Sequence, residues 1–130
     1  MLSNASILGF VPVRDLLPAG QFFCGKLGLP VVSRDQFALV VAAANGTRIR
    51  CVHVPGAGPQ PFTILGWEGD DIHAAASNLA AAGLKPLIYP NFTQDPDGVW
   101  PAPGGQDSVV WFNEPDGDIL SLSQHGVKTP

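Results

Sequence analysis

Two stretches of the chain share one rhythm of apolar and polar positions. SILGFVPVRDLLPAGQFFCGKLGLPVV runs from Ser6 to Val32, and PFTILGWEGDDIHAAASNLAAAGLKPLIY from Pro61 to Tyr89. Each reads as an alternating strand, an Asp, an amphipathic helix, a Gly and a second strand. Leu16, Ala19, Phe23 and Leu27 recur at helical spacing in the first, and Ile72, Ala75, Ala76 and Leu79 in the second. Asp15 and Asp71 precede these stripes, where a carboxylate can accept from the free N–H groups of a first helical turn. Gly28 and Gly83 follow them, as left-handed helix exits. Pro18 falls in an opening turn, where its missing N–H costs little.

Strand-like runs follow each helix. After the first come LPVVSRD, QFALVVAAA, the pair Asn45-Gly46 and TRIRCVHV. Asn-Gly tolerates positive φ at both positions and predicts a tight hairpin. After the second come LKPLIYP, then DSVVWFN, the turn EPDGD and ILSLSQH. Both halves therefore read βαβββ, and such internal duplication sets the fold. The expected class is α+β: tandem βαβββ modules whose mixed sheets form around a shared cleft. One domain over 1–130 is expected, with module 1 at about 5–57 and module 2 at about 60–126. The stretch at about 91–107, rich in Pro, Gly and Asp, has no counterpart in the first half and reads as an insertion loop of the kind that covers sites.

Composition narrows the possibilities. Hydrophobic residues make up 45% of the 130 and charged residues 14%, so much of the chain expects burial in a core, a cavity or an interface. The net charge of −4 and the absence of a Lys/Arg cluster speak against nucleic acid as a partner. The opening MLSNASILGFVPVRD has no basic start and only a short apolar run, so neither a signal peptide nor a membrane span is expected, and the cytoplasm is the expected compartment. Cys24 and Cys51 are expected to be buried reduced thiols.

Three stretches carry a family resemblance. RDLLPAGQFFCGKLGL is similar to the pattern D-L-x-x-A-x-x-F-Y-x-x-x-L-G-L, with Phe23 for the usual Tyr. FNEPDGDILSL is similar to F-x-D-P-D-G-N-x-x-E-L, and DDIHAAASNLAAAGL supports both. With the duplicated βαβββ pattern, the chain resembles the vicinal oxygen chelate superfamily of glyoxalases, bleomycin-resistance proteins and extradiol dioxygenases. The resemblance implies a cleft that in the enzymes holds a divalent metal, with ligands on the first and last strand of each module. It also implies a homodimer. Carried over by spacing, the ligand positions are Leu8, Arg50, Ile64 and Ser121. Leu and Ile offer no lone pair, a guanidinium repels a cation, and a protonated hydroxyl is a poor ligand. Among the neighbouring positions only Cys51 is a usual ligand. No metal and no other cofactor is expected.

Strand alternation places Leu8, Phe10 and Pro12, with Arg48, Arg50 and Val52, on the cleft-lining face of module 1. Phe62, Ile64 and Glu68, with Ser121, Ser123 and His125, take that face in module 2. The expected ligand-binding residues are Leu8, Phe10, Arg50, Ile64, Glu68, Trp100, Ser121 and His125, and no catalytic residue is assigned. Arg50 either binds an anionic group or pairs with Glu68 or another acid. Trp100 is a lid, an interface residue or an anchor for its loop. His125 is a base or donor, or a solvated residue near the chain end. His53 is expected on the helix side in a structural role and His73 at the surface, while the face of Trp111 stays open. Three functions remain: a metal-free binding protein for a partly apolar, anionic or planar small molecule; a glyoxalase- or dioxygenase-like enzyme with a non-standard metal site or a metal-free mechanism; and an accessory domain for a catalytic partner.

Overall fold

The computed structural model describes residues 1–126, and the chain divides between Pro59 and Gln60 into two compact units. The first unit contains β1 (Leu8–Val13), α1 (Leu16–Gly20), β2 (Val31–Arg34), β3 (Ala38–Ala42) and β4 (Arg48–His53). Its sheet order is β1-β4-β3-β2, with β1 parallel to β4 and the other pairs antiparallel. The second unit repeats the plan with β5 (Thr63–Glu68), α2 (Ile72–Ala81), β6 (Trp100–Pro101), β7 (Ser108–Asn113) and β8 (Ile119–Gln124), in the order β5-β8-β7-β6. These are two βαβββ modules with mixed four-stranded sheets. No helix among the described residues is long and apolar enough to cross a membrane.

Both helices start as their sequences predict. Asp15 Oδ1 accepts from the Leu17 N–H at 3.0 Å, and Asp71 Oδ1 from the Ala74 N–H at 3.1 Å. Gly28 and Gly83 follow with φ of 73° and 85°, the left-handed region a side chain disfavours. Asn45 and Gly46, also at positive φ, turn β3 into β4. The first helix departs from its simple stripe, because α1 runs directly into a π-helical turn over Gln21–Lys26. That wider turn lets the adjacent Phe22 and Phe23 both enter the core, with rings edge-on at 5.0 Å. They cover the inner side of the first sheet, where Val11, Val13, Leu39, Val41, Ile49 and Cys51 are buried. Cys24 is only half-buried, and neither cysteine is in a disulfide.

In the second unit Ile72 and Ala76 of α2 pack with Val99 and Val110. Leu120 and Phe112 are buried on the same inner side, and Trp67 stacks on Phe112 at 6.5 Å. One expected strand is absent: Leu84–Pro90 is irregular, and its ladder position is shared out. The Leu87 N–H donates to the Trp111 carbonyl, but Pro86 and Pro90 have no N–H to continue. The insertion loop instead supplies β6, which pairs with β7 through Trp100–Val109 and Pro101–Ser108.

Candidate functional site

Each sheet has one side covered by its helix and one outward side. On the first unit β4 sorts its residues strictly, with Ile49 and Cys51 buried and Arg48, Arg50 and Val52 turned outward. The ladder places Leu8 beside Arg48 and Phe10 beside Arg50, with Val40 on the other flank of Arg50. An open depression of about 570 Å³ lies here, with Leu8, Ser33, Val40, Arg48 and Arg50 in its lining. Among the described residues no carboxylate lies within 4.0 Å of either guanidinium. Asp35 is held below the usual carboxylate range by N–H groups of Phe37 and Ala38, and then by the charge of Arg50. His53 is exposed at the end of β4, not packed in the structural role expected of it.

On the second unit the outward side carries Gly66 and Glu68 of β5, Ser121 and Ser123 of β8, and Val109 and Trp111 of β7, by direct pairing. A bulge between Thr63 and Leu65 contains Ile64, which the ladder leaves without a place opposite Ser121. Gly66 takes that place. A Cβ at Gly66 would lie 2.4 Å from Ser121 Oγ, so the glycine gives the hydroxyl its room.

Trp111, whose face the sequence leaves open, is the centre of an aromatic cluster. Phe92 stacks on Trp100 at 4.6 Å and on Trp111 at 5.6 Å, and Tyr89 meets Trp111 edge-on at 5.3 Å. Trp100 is thus a half-buried wall of this cluster, fixed on β6. Phe92 keeps 39% of its surface exposed. Gln94 ties the loop beneath: its Nε2 donates to the carbonyls of Leu87 and Gly98, and its Oε1 accepts from the Tyr89 N–H. Gly98 is obligatory, with φ of 83° and Pro86 Cβ only 2.3 Å from where a Cβ would stand. No local pattern marks Tyr89 or Phe92 as partners of Trp111 and Trp100, because they become neighbours only when the loop folds back.

His125 is not simply solvated. Its Nε2 lies 3.1 Å from Ser123 Oγ and 3.7 Å from Glu68 Oε1, and its Nδ1 lies 3.4 Å from Asp107 Oδ1. Asp107 Oδ1 also accepts from the Gly126 N–H. Glu68, Ser123 and His125 thus come together as the alternation predicts, while Asp107 is added by the loop.

The metal implied by the resemblance does not fit. Of its four positions, Leu8 and Arg50 are on the outward side of the first unit, and Ile64 and Ser121 belong to the second. Two alkyl groups, a guanidinium and a hydroxyl are not a divalent-metal donor set. Ligand-type atoms do gather elsewhere, where His73, Asp95 and Asp97 lie within 4.8 Å of one another at the surface. His73 Nε2 bonds Asp95 Oδ2 at 2.9 Å, which raises the imidazole pKa. For Asp95, burial opposes ionisation, but the His73 bond and N–H groups of Val99 and Asp97 outweigh it and lower the pKa.

No family model and no curated protein matches the sequence. Solved structures do match the fold. The bleomycin resistance determinant encoded on transposon Tn5 aligns over 95% of this chain and 100% of its own, with TM-score 0.72 and 19% identity. TnmS3, an antibiotic binding protein from Streptomyces sp. CB03234, aligns over 97% and 99%, with TM-score 0.72 and 23% identity. A glyoxalase/bleomycin resistance protein/dioxygenase superfamily member from Sphaerobacter thermophilus aligns over 96% and 100%, with TM-score 0.70 and 19% identity. The fold is that of the glyoxalase/bleomycin resistance/dioxygenase proteins, in agreement with the vicinal oxygen chelate resemblance of the sequence.

Proposed function

We propose that this chain is a metal-free small-molecule binding protein of the glyoxalase/bleomycin-resistance type, for a partly apolar, planar ligand. The observation that carries the reading is the Phe92–Trp100–Trp111 stack on the outward side of the second sheet, beside the hydroxyls of Ser121 and Ser123. Apolar surface with few polar handles is what binds drug-sized molecules, and half-exposed rings offer faces to a planar partner. That two structures of this fold are named for antibiotic binding and bleomycin resistance supports the same direction. The ligand-facing residues in this reading are Leu8, Phe10 and Arg50 on the first unit, and Ile64, Glu68, Trp100, Ser121 and His125 on the second.

Homodimer formation belongs to the proposal and is supported by exposed apolar side chains, with Ile7 71%, Phe10 63% and Phe62 59% exposed. Sedimentation velocity tests it. Residence in the cytoplasm is supported by two cysteines that form no disulfide, and fractionation tests that. The main experiment titrates the protein with bleomycin and with a neutral hydroxyanthraquinone while following Trp fluorescence, alongside elemental metal analysis. Saturable quenching with no stoichiometric metal supports the reading; one tightly held metal per chain, or no response to any planar probe, overturns it.

One observation favours the enzyme reading as second choice. His125 lies within 4 Å of a hydroxyl and two carboxylates, so it has groups to orient it and a hydroxyl to exchange a proton with. Turnover of a bound probe that is lost in His125→Gln, with binding retained, would favour catalysis.

A further inference from the structure

The first unit carries its own chemistry. Of the seven Lys and Arg residues, five (Arg14, Lys26, Arg34, Arg48 and Arg50) lie in Met1–Pro59, against two acids, Asp15 and Asp35. The second unit has two cationic residues against nine acidic ones. The net charge of −4 therefore hides a cationic unit and a strongly acidic one. Within the cationic unit, Arg48 and Arg50 leave β4 on the same side, two residues and about 6.6 Å of backbone apart. Neither has a carboxylate within 4.0 Å among the described residues. Like charges this close repel, and folding alone gives no reason to align them on one open face. Their flanks are apolar: Leu8 and Ala42 beside Arg48, Phe10 and Val40 beside Arg50. Ser33, paired with Val40, adds a hydroxyl to the same depression.

We propose that Arg48 and Arg50 form a two-pronged oxyanion site, and that the ligand it takes is an amphiphilic dianion, a phosphate monoester on an apolar body. Planar guanidinium groups match the oxygen spacing of a phosphate and bind it through paired N–H···O bonds. Two of them offer enough donors to hold a doubly charged head group, with Ser33 as a neutral donor. The rows of Leu8, Phe10 and Val40 lie beside it to receive the ester's organic part. The positive balance of the whole unit attracts such anions before contact. This inference rests on the reading of the chain as a small-molecule binder, but it uses only first-unit residues.

Backbone amide and Arg Nε–Hε resonances of residues 48–50 are followed by NMR at constant ionic strength, with phenyl phosphate, inorganic phosphate, benzenesulfonate and phenol as probes. Phenyl phosphate is expected to shift the signals of both arginines saturably and to bind at least tenfold more tightly than the other three. Arg48→Met and Arg50→Met are each expected to weaken it about tenfold, and Arg50→Lys by less, since the charge remains and the fork is lost. Shifts reproduced by sodium chloride, equal affinity for inorganic phosphate and phenyl phosphate, or an unchanged affinity in Arg48→Met would each overturn the site. Trp fluorescence recorded with the neutral hydroxyanthraquinone keeps the two proposals apart. A silent Trp response with saturable shifts at residues 48–50 sinks the planar-ligand reading and leaves this one standing.

Discussion

Trp111 stands directly opposite Ser121 in the β7–β8 ladder. Facing residues of antiparallel strands project to the same side, so an indole and a hydroxyl leave the sheet as neighbours. Phe92 and Trp100 extend the indole into a stacked surface. If this surface binds planar ligands, Trp111→Ala and Trp100→Ala should each weaken binding of the hydroxyanthraquinone probe by about 1 kcal/mol, roughly fivefold. Calorimetric titration of the two variants checks this, and equal affinities would take the indoles out of the site.

Glu114 gives a prediction about pH. It is 3% exposed, its Oε1 accepts from the Asp118 N–H, and its Oε2 has no partner. Burial, and then the charges of Asp116 and Asp118, push its carboxyl up to about 7. Between the ordinary value of 4.5 and that value the folded chain holds a proton that the unfolded chain releases. The stability it contributes is full below about 4.5, is lost as pH rises toward 7, and changes no further above it. Glu114→Gln keeps the acceptor without the charge. Its stability relative to the parent should therefore improve by roughly 3 kcal/mol between pH 4.5 and 8. Urea unfolding at both pH values measures this, and a pH-independent difference would show that Glu114 is not the titrating group.

Gln94 holds three backbone groups of the loop under the aromatic cluster. Gln94→Ala should destabilise the chain by about 1–3 kcal/mol, since part-buried polar groups lose their partners. Near-UV circular dichroism should weaken at the same time, as the ring geometry depends on that loop. A variant with native melting temperature and native aromatic signal would contradict this role.

The His73–Asp95 pair predicts a second titration of the same sign at the surface. Asp95 raises the His73 pKa, so the contact stabilises the fold below the ordinary His value of 6.5 and fades as pH rises through the raised one. An NMR titration should find His73 titrating higher in the parent than in Asp95→Asn. Identical midpoints would exclude the contact in solution.

Much of this was legible in local pattern. Helix caps at Asp15 and Asp71, the Asn45-Gly46 turn and the duplicated βαβββ order depend on neighbours a few residues apart, where steric and hydrogen-bond preferences act directly. The same holds for the shared face of Arg48 and Arg50, because a strand alternates its side chains whatever it pairs with. The π-turn that buries Phe22 beside Phe23 was not legible, since a wider helical turn leaves no mark in an apolar stripe.

What the sequence by itself determined was the module plan, the outward faces and the unsuitability of Leu8, Arg50, Ile64 and Ser121 as metal ligands, which is a matter of side-chain chemistry alone. Only the tertiary structure decided that Trp111 faces with Ser121, that the bulge at Ile64 leaves Gly66 beside that serine, and that Trp100 belongs to a strand. It alone brought Asp107 to His125 and Asp95 to His73. These depend on register and on how a proline-rich loop folds back. Both are fixed by long-range pairing free energy, which no short window of sequence contains.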